Sequence, residues 1–280
     1  TLRGGKRTRA FLVWLGHRSV IPAHAGIQSI KDWIPDQVGD YALLHAMMAL
    51  ELFHSFCLIH DDIMDQDRQR RGGLSVHEFF RINALTRQRI TPRNAKHFGT
   101  SMAILAGDLA LVWVDELMQE VKSQEFPRSG IPLCGTKVKN EKTAQCVGPL
   151  EIYQHMKEEV AFGQVLDVAK QSGYAEIAQG KINELKTAWY SVVRPLQLGA
   201  VLAGADQDHL NGLADFGVPV GKLYQLKDDQ MDGDADAATF QRESKRLTKA
   251  ATGALEKLIV TDGTKPLFAD LVKFVIERQS

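Results

Sequence analysis

Two short stretches hold most of the chemistry this sequence can perform. In "HSFCLIHDDIMDQDRQRRGG", His54 to Gly73, an apolar run ends in Asp61, Asp62 and Asp65 and is followed by Arg68, Arg70 and Arg71. In "GKLYQLKDDQMDGD", Gly221 to Asp234, a second such run closes on Asp228, Asp229 and Asp232. Asp61 and Asp65 are four residues apart, as are Asp228 and Asp232, so on a helix each pair shares one face. Like charges at that spacing destabilise a helix by roughly a few tenths of a kcal/mol, and apolar neighbours add a desolvation cost. A hard divalent cation reverses the penalty. Carboxylates together with a phosphate-bearing substrate are the usual surroundings of Mg²⁺.

One DDxxD alone is more often a solvated helix face than a metal site. Two copies, each closing an apolar run, shift the balance toward metal. The first lacks the glycine and terminal glutamate of an EF-hand loop, which argues against calcium in that form. Several cations plus arginines suit a diphosphate, because it carries several charges and departs as a group. Arg70 and Arg71 offer forked donors matched to its oxygens. "GGKRTR", Gly4 to Arg9, adds Lys6, Arg7 and Arg9. No Walker spacing occurs, and no GxGxxG follows a strand, so nucleotide folds lose. Together these residues imply two anion sites, one bridged by metal between the aspartate clusters and one built from lysine and arginine.

The elements that must position them read as helices. Apolar residues recur at three- and four-residue spacing over about 40–65, 98–122, 150–171, 178–204 and 206–232. No stretch reads as a sheet. Pro195 and Pro219 fall inside helical patterns and predict kinks, while residues 122–148 read as a loop. The expected architecture is a single all-α domain. The 34 basic and 34 acidic residues cancel, which argues against a nucleic-acid partner. Three cysteines, Cys57, Cys134 and Cys146, form no CxxC pair, so a reducing cytoplasm is the simpler setting. No apolar run reaches the roughly 18 residues that span a bilayer, so no transmembrane segment is expected.

At this point the chain resembles the trans-isoprenyl diphosphate synthases, an all-α family that elongates prenyl chains, and within it geranylgeranyl diphosphate synthases most. The resemblance runs in order through "GGKRTR", "ELFHSFCLIHDDIMDQDRQRRG", "AILAGD", "GQVLD", "KTAWYSVVRPLQLGA", "YQLKDDQMD" and the closing "FVIERQS". It implies a bundle of long helices around a central cavity. It implies Mg²⁺, three ions per active site, held by Asp61, Asp65, Asp228 and Asp232 on an allylic diphosphate (dimethylallyl, geranyl or farnesyl) that Arg70 also touches. Lys6, Arg9, His54 and Arg71 would bind isopentenyl diphosphate. Lys186, Thr187 and Gln225 would line the reacting carbons, with Gln164 and Asp167 nearby. Homodimers are usual in the family.

Product length in that family follows the depth of an apolar tunnel floored one to two turns before the first aspartate. Phe56 and Cys57 stand five and four residues before Asp61, about 6 to 8 Å along a helix. A ring beside a small neighbour, without an insertion in "DDIMD", resembles the C20 pattern. Two aromatics would favour C15 and two small residues longer products. The family also leads one to expect an N-terminal segment and a flap near residues 233–240 that this sequence lacks. Rivals are a farnesyl or longer-chain synthase, a non-catalytic regulatory subunit and a class I terpene cyclase.

Overall fold

The computed structural model describes residues 7–20, 39–87, 90–123, 147–233, 235–261 and 263–278. Helix α1 covers Thr8–Val20, α2 Gly39–Met64, α3 Val76–Thr86, α4 Pro92–Ser123 and α5 Pro149–Gln171. Then come α6 (Gln179–Asn183), a π-helix (Glu184–Val193), α7 (Arg194–Leu202), α8 (Gln207–Asp232), α9 (Ala237–Lys257) and α10 (Lys265–Glu277). Backbone contacts gather in two compact units: the described residues of 7–10 with 45–120, and those of 11–44 with 121–278.

In the first unit α2 buries Ala46, Met47, Ala49, Leu50, Phe53 and Ile59, and α4 buries Ala95, Ala103, Ala110, Val114 and Met118. These follow the three- and four-residue spacing of a half-buried helix. A Cβ on Gly107 of α4 would run into the His60 ring of α2, so glycine there lets the imidazole lie against the α4 backbone. Between α2 and α3 the chain forms a small antiparallel hairpin, β1 (Gln69–Arg70) and β2 (Gly73–Leu74), which corrects the expectation of no sheet. Two-residue strands are too short to show any alternation in sequence.

One helix bears on the expectation of no transmembrane segment. Tyr41–Met64 is long and apolar enough to cross a membrane by length and composition, with a mean hydropathy of 1.7 and 44% of its apolar stretch buried. Glu51 interrupts the run when it is read residue by residue, yet barely lowers the average. A core helix meets the same criterion.

The second unit is organised around α8. Leu210, Leu213, Phe216, Val220 and Leu223 form its apolar stripe, against Leu247, Ala251 and Leu255 of α9 and Phe268, Leu271, Val272 and Val275 of α10. Phe216 and Phe268 meet edge to face at 5.1 Å. Helices α1 and α7 cross at Gly16 and Gly199, where a Cβ on either would strike a carbonyl of the other helix, at Leu196 or Val13. Caps fix the ends of α8 and α9. Asp206 accepts the His209 N–H at 2.8 Å, and Asp236 accepts those of Ala238 and Thr239 at 2.9 Å each. Gly233, at φ 86°, ends α8 in the left-handed conformation.

Next to Pro195, where a kink is expected, the helix type changes, π through Val193 and α from Arg194. Proline supplies no N–H to the turn before it, so a continuous ladder stops there. Gly163, Gly217 and Gly221 make room around the π-helix. A Cβ on these would press on Lys186, Val193 and Ala188 respectively. Pro219, by contrast, stands inside α8, which continues past it to Asp232.

Candidate active site

In the first unit the acidic cluster sits on the last turn of α2. The helix ends in a Schellman motif: Asp67 N–H reaches Asp62 C=O at 2.9 Å, Gln66 N–H reaches Ile63 C=O at 3.4 Å, and Gln66 lies at φ 58°. Asp61, Asp62 and Asp65 therefore crowd the negative end of the helix dipole, where carboxylates are disfavoured and cations are favoured. Asp62 is fully buried. Its Oδ1 accepts from Arg70 Nε at 2.7 Å and Nη2 at 2.5 Å, while its Oδ2 is buried with no hydrogen-bond partner among the described residues. Burial pushes its pKa up, and the Arg70 hydrogen bond opposes this only in part. Asp65 is exposed and Asp61 half-buried on the adjoining face.

The hairpin explains how the arginines return to the helix. Arg70 pairs with Gly73, so Arg71 and Gly72 form the two-residue loop, at φ 53° and 74°. Positive φ at both positions is what a tight right-twisted hairpin requires. For a non-glycine residue such as Arg71 that conformation costs about 1 kcal/mol. The turn brings Arg71 Nη2 to 3.5 Å from His54 Nε2. Arg70 already gives Nε and Nη2 to Asp62, and Nη2 to Asp67 at 3.2 Å, so Nη1 is the nitrogen left for a ligand.

Glu51 anchors the start of α1 to the same helix, taking Arg7 Nη1 and the Ala10 N–H at 3.3 Å each. A carboxylate at a helix N-terminus is electrostatically favoured. His54 consequently lies among Arg9, Arg71 and Arg70. Burial first, and then those three guanidiniums, lower its pKa to about 2. It is a neutral imidazole at physiological pH, so the positive charge offered to an anion here belongs to the arginines. Phe56 packs edge-on against the His60 ring at 4.8 Å and tilts against Phe53 at 5.4 Å. Cys57, half-buried, lies outside any disulfide. His60 Nε2 is 3.2 Å from the Ile104 carbonyl and 3.7 Å from Asp108.

In the second unit the π-helix presents Lys186 and Thr187. Lys186 Nζ donates to Asp167 Oδ2 at 2.6 Å, and Thr187 Oγ1 donates to Gln225 Oε1 at 2.8 Å. Gln225 Nε2 in turn donates to Asp229 Oδ1 at 2.8 Å. Asp228 accepts at 2.7 Å from Nη2 of Arg278, which also donates to the Tyr224 carbonyl at 2.8 Å. The Arg278 guanidinium stacks 3.8 Å above the Tyr224 ring with its side chain 3% exposed. This cluster again occupies a helix C-terminus, that of α8. Gln164 lies half-buried on α5, one residue after Gly163.

Among the described residues no three His, Cys, Asp or Glu side chains gather into a ready-made metal cage. Mg²⁺ does not require one, since it binds through one or two carboxylates and takes its other oxygens from water and phosphate. The donors fit that ion: hard carboxylates four residues apart at the cation-favouring end of α2. Lys6 lies outside the described residues, and of Asp232 only the backbone, the last residue of α8, is described.

Three roles escaped the sequence reading, although the residues that play them stand in its motifs. Asp62 takes Arg70, Asp229 takes Gln225, and Arg278 takes Asp228. Asp62 and Asp229 stand in the two aspartate clusters, and Arg278 is the lone basic group closing "FVIERQS".

A model of the family described as polyprenyl synthetase matches residues 1–250. A farnesyl diphosphate synthase of Bacillus subtilis is 31% identical over 235 residues, covering 82% of this chain and 62% of that protein. A geranylgeranyl diphosphate synthase of Methanosarcina mazei is 28% identical over 236 residues, covering 82% and 55%. The chain spans little more than half the length of such relatives. Among solved structures, geranylgeranyl pyrophosphate synthase from Corynebacterium glutamicum, complexed with isoprenyl diphosphate and magnesium, superposes with a TM-score of 0.75. Its identity is 22%, and the match covers 99% of this chain and 87% of that one. That likeness shows the all-α fold.

Proposed function

The chain belongs to the polyprenyl synthetase family, and from that premise we propose that it is a trans-prenyltransferase. It condenses isopentenyl diphosphate with an allylic diphosphate, and its product is geranylgeranyl diphosphate. The observation that carries this reading is electrostatic. Two helices each end in carboxylates set against their own dipole, an arrangement that cations and a bound polyanion stabilise.

Asp61 and Asp65 on α2, and Asp228 and Asp232 on α8, would hold the magnesium ions, three per active site. When bound they supply Lewis-acid neutralisation of the leaving diphosphate. Arg70, through Nη1, would add a donor to the allylic diphosphate. Arg9, Arg71 and Lys6 would bind the isopentenyl diphosphate, with neutral His54 contributing an uncharged donor. The allylic C1–O bond breaks with its electron pair leaving on the diphosphate, and the isopentenyl double bond attacks C1. The proton lost from the product cation goes to the departed diphosphate. Lys186, Thr187 and Gln225 would line the reacting carbons as fixed dipoles, with Gln164 beside them. Lys186 is already neutralised by Asp167, which limits its repulsion of a carbocation.

Phe56, fixed by His60 and Phe53, and Cys57 would floor the prenyl tunnel. Residues 1–280 would work as one catalytic domain in a homodimer. The exposed stripe Ile104, Leu105, Leu109, Val112 and Trp113 on α4 supports a protein partner. The Cys57 thiol suits the cytoplasm.

The test is product analysis with labelled isopentenyl diphosphate, MgCl₂ and dimethylallyl, geranyl or farnesyl diphosphate in turn. C20 is expected. C15 or C25 products would revise the chain length, and Phe56→Ser is expected to lengthen it. No product at all would point to a regulatory subunit. A hydrocarbon from geranylgeranyl diphosphate alone would point to a cyclase.

A further inference from the structure

We infer that Asp229 is a positioning residue that sets the direction of the Thr187 hydroxyl through Gln225, and that it does not serve as a metal ligand. The inference rests on the reading above and deepens it. An ionised carboxylate accepts hydrogen bonds and cannot donate, so the 2.8 Å contact to Asp229 Oδ1 must come from the Gln225 amide nitrogen. The amide oxygen is thereby turned to the Thr187 side, where the hydroxyl donates to it at 2.8 Å. A hydroxyl has one proton. Thr187 gives it to Gln225 and not to a carbonyl one turn earlier, the usual habit of a helical threonine. What Thr187 presents elsewhere is therefore lone pairs alone.

That polarity matters for a reaction through an allylic cation. A fixed oxygen lone pair stabilises positive charge, whereas a hydroxyl proton aimed at it repels. The carboxylate strengthens the chain of dipoles, since hydrogen bonds to a charged group are stronger and adjacent bonds polarise one another. The π-helix is what places Thr187 opposite Gln225 of α8, over the glycine at Gly221 that admits Ala188. An asparagine at 229 would lift the constraint. Its amide could donate to Gln225, flip it, and release the Thr187 hydroxyl as a donor.

The experiment compares Asp229→Asn, Thr187→Val and the double variant with the wild type. D229N is expected to lower kcat roughly tenfold to a hundredfold. KM for both substrates, and calorimetric binding of MgCl₂ with inorganic pyrophosphate, should stay within about twofold, as a shift in kcat alone requires. The double variant should be no slower than T187V, because both substitutions break one chain. Should D229N fail to fold, Asp229→Ala removes the acceptor that holds the Gln225 amide and carries the same expectations. A neutron structure of the wild type should place the Thr187 deuteron toward Gln225. Parallel losses of magnesium binding and rate in D229N would make Asp229 a metal ligand and overturn the inference. So would additive effects, an unimpaired D229N, or a deuteron pointing away. Those outcomes leave the proposed function standing if the wild type is active, whereas an inactive wild type overturns both.

Discussion

The C-termini of α2 and α8 carry the same DDxxD spelling and resolve it differently. At the end of α2 the middle aspartate, Asp62, is the one taken inside, clamped by Arg70 from the hairpin just downstream. At the end of α8 the first aspartate, Asp228, is clamped by Arg278, fifty residues further on, and the second, Asp229, is given to Gln225 one turn earlier. Both ends are closed by a left-handed residue, Gln66 in one and Gly233 in the other. Each thus solves the same electrostatic problem, carboxylates at the wrong end of a dipole, with a guanidinium. The first borrows its arginine locally and the second from the end of the described chain. Stability and activity should therefore separate at α2 and merge at α8.

The largest effect should come from the α2 carboxylates. Asp61→Ala is expected to cut kcat/KM by roughly a thousandfold, a loss of transition-state charge stabilisation, with unchanged midpoints in urea. An equal loss of folding stability would erase the contrast between the two ends. Next comes Arg278→Ala. It removes a buried partner from a carboxylate that is 34% exposed, so about 2–3 kcal/mol of stability should be lost, discounted from a fully buried pair. Activity should fall with it, and Arg278→Lys should restore stability in part. Urea unfolding that leaves R278A as stable as the wild type would show that α8 does not depend on its distant arginine.

His54 sharpens the comparison through pH. Its neutral form is accommodated in the fold, with a pKa of about 2 against an ordinary 6.5. Above 6.5 neither state binds the proton. As pH falls through the window from 6.5 toward 2, the unfolded chain binds it and the folded one does not. Stability is then lost at about 1.4 kcal/mol per pH unit from this one group. Denaturant titrations at pH 7, 6 and 5 should show a loss that steepens toward that slope at the acid end, and His54→Gln should flatten it. The smallest effect is expected at Asp62. Because burial already raises its pKa, Asp62→Asn should cost no more than about 1 kcal/mol of stability near neutral pH. A loss several times larger would mean that its charge, and not only its hydrogen bond, holds Arg70.

Much of the helical framework was legible. The spacing of apolar residues gave α2, α5 and α8 to within a residue or two, because each has one long buried face. Helix α9 was not named in advance, since its buried face includes Ser244 and Ala251 among many charges and reads as polar. The π-helix was read as part of one segment, 178–204. Over ten residues the apolar pattern does not separate a π turn from an α turn, and the glycines at 163, 217 and 221 hint at the extra width. Arg71 aims at His54 because of a turn with two left-handed residues, which Arg-Gly signals only weakly.

The sequence by itself determined which groups are available: carboxylates in fours at two helix ends, arginines after the first, and the order of stretches that marks the family. Local periodicity and side-chain chemistry suffice for that. Only the tertiary structure decided how neighbours in the chain divide their work. Successive residues on a helix point about 100° apart, so Asp61 and Asp62, or Asp228 and Asp229, meet different surroundings although they are spelled alike. What each surrounding contains, from Arg70 eight residues away to Arg278 fifty away, is fixed by packing and not by any spacing in the sequence.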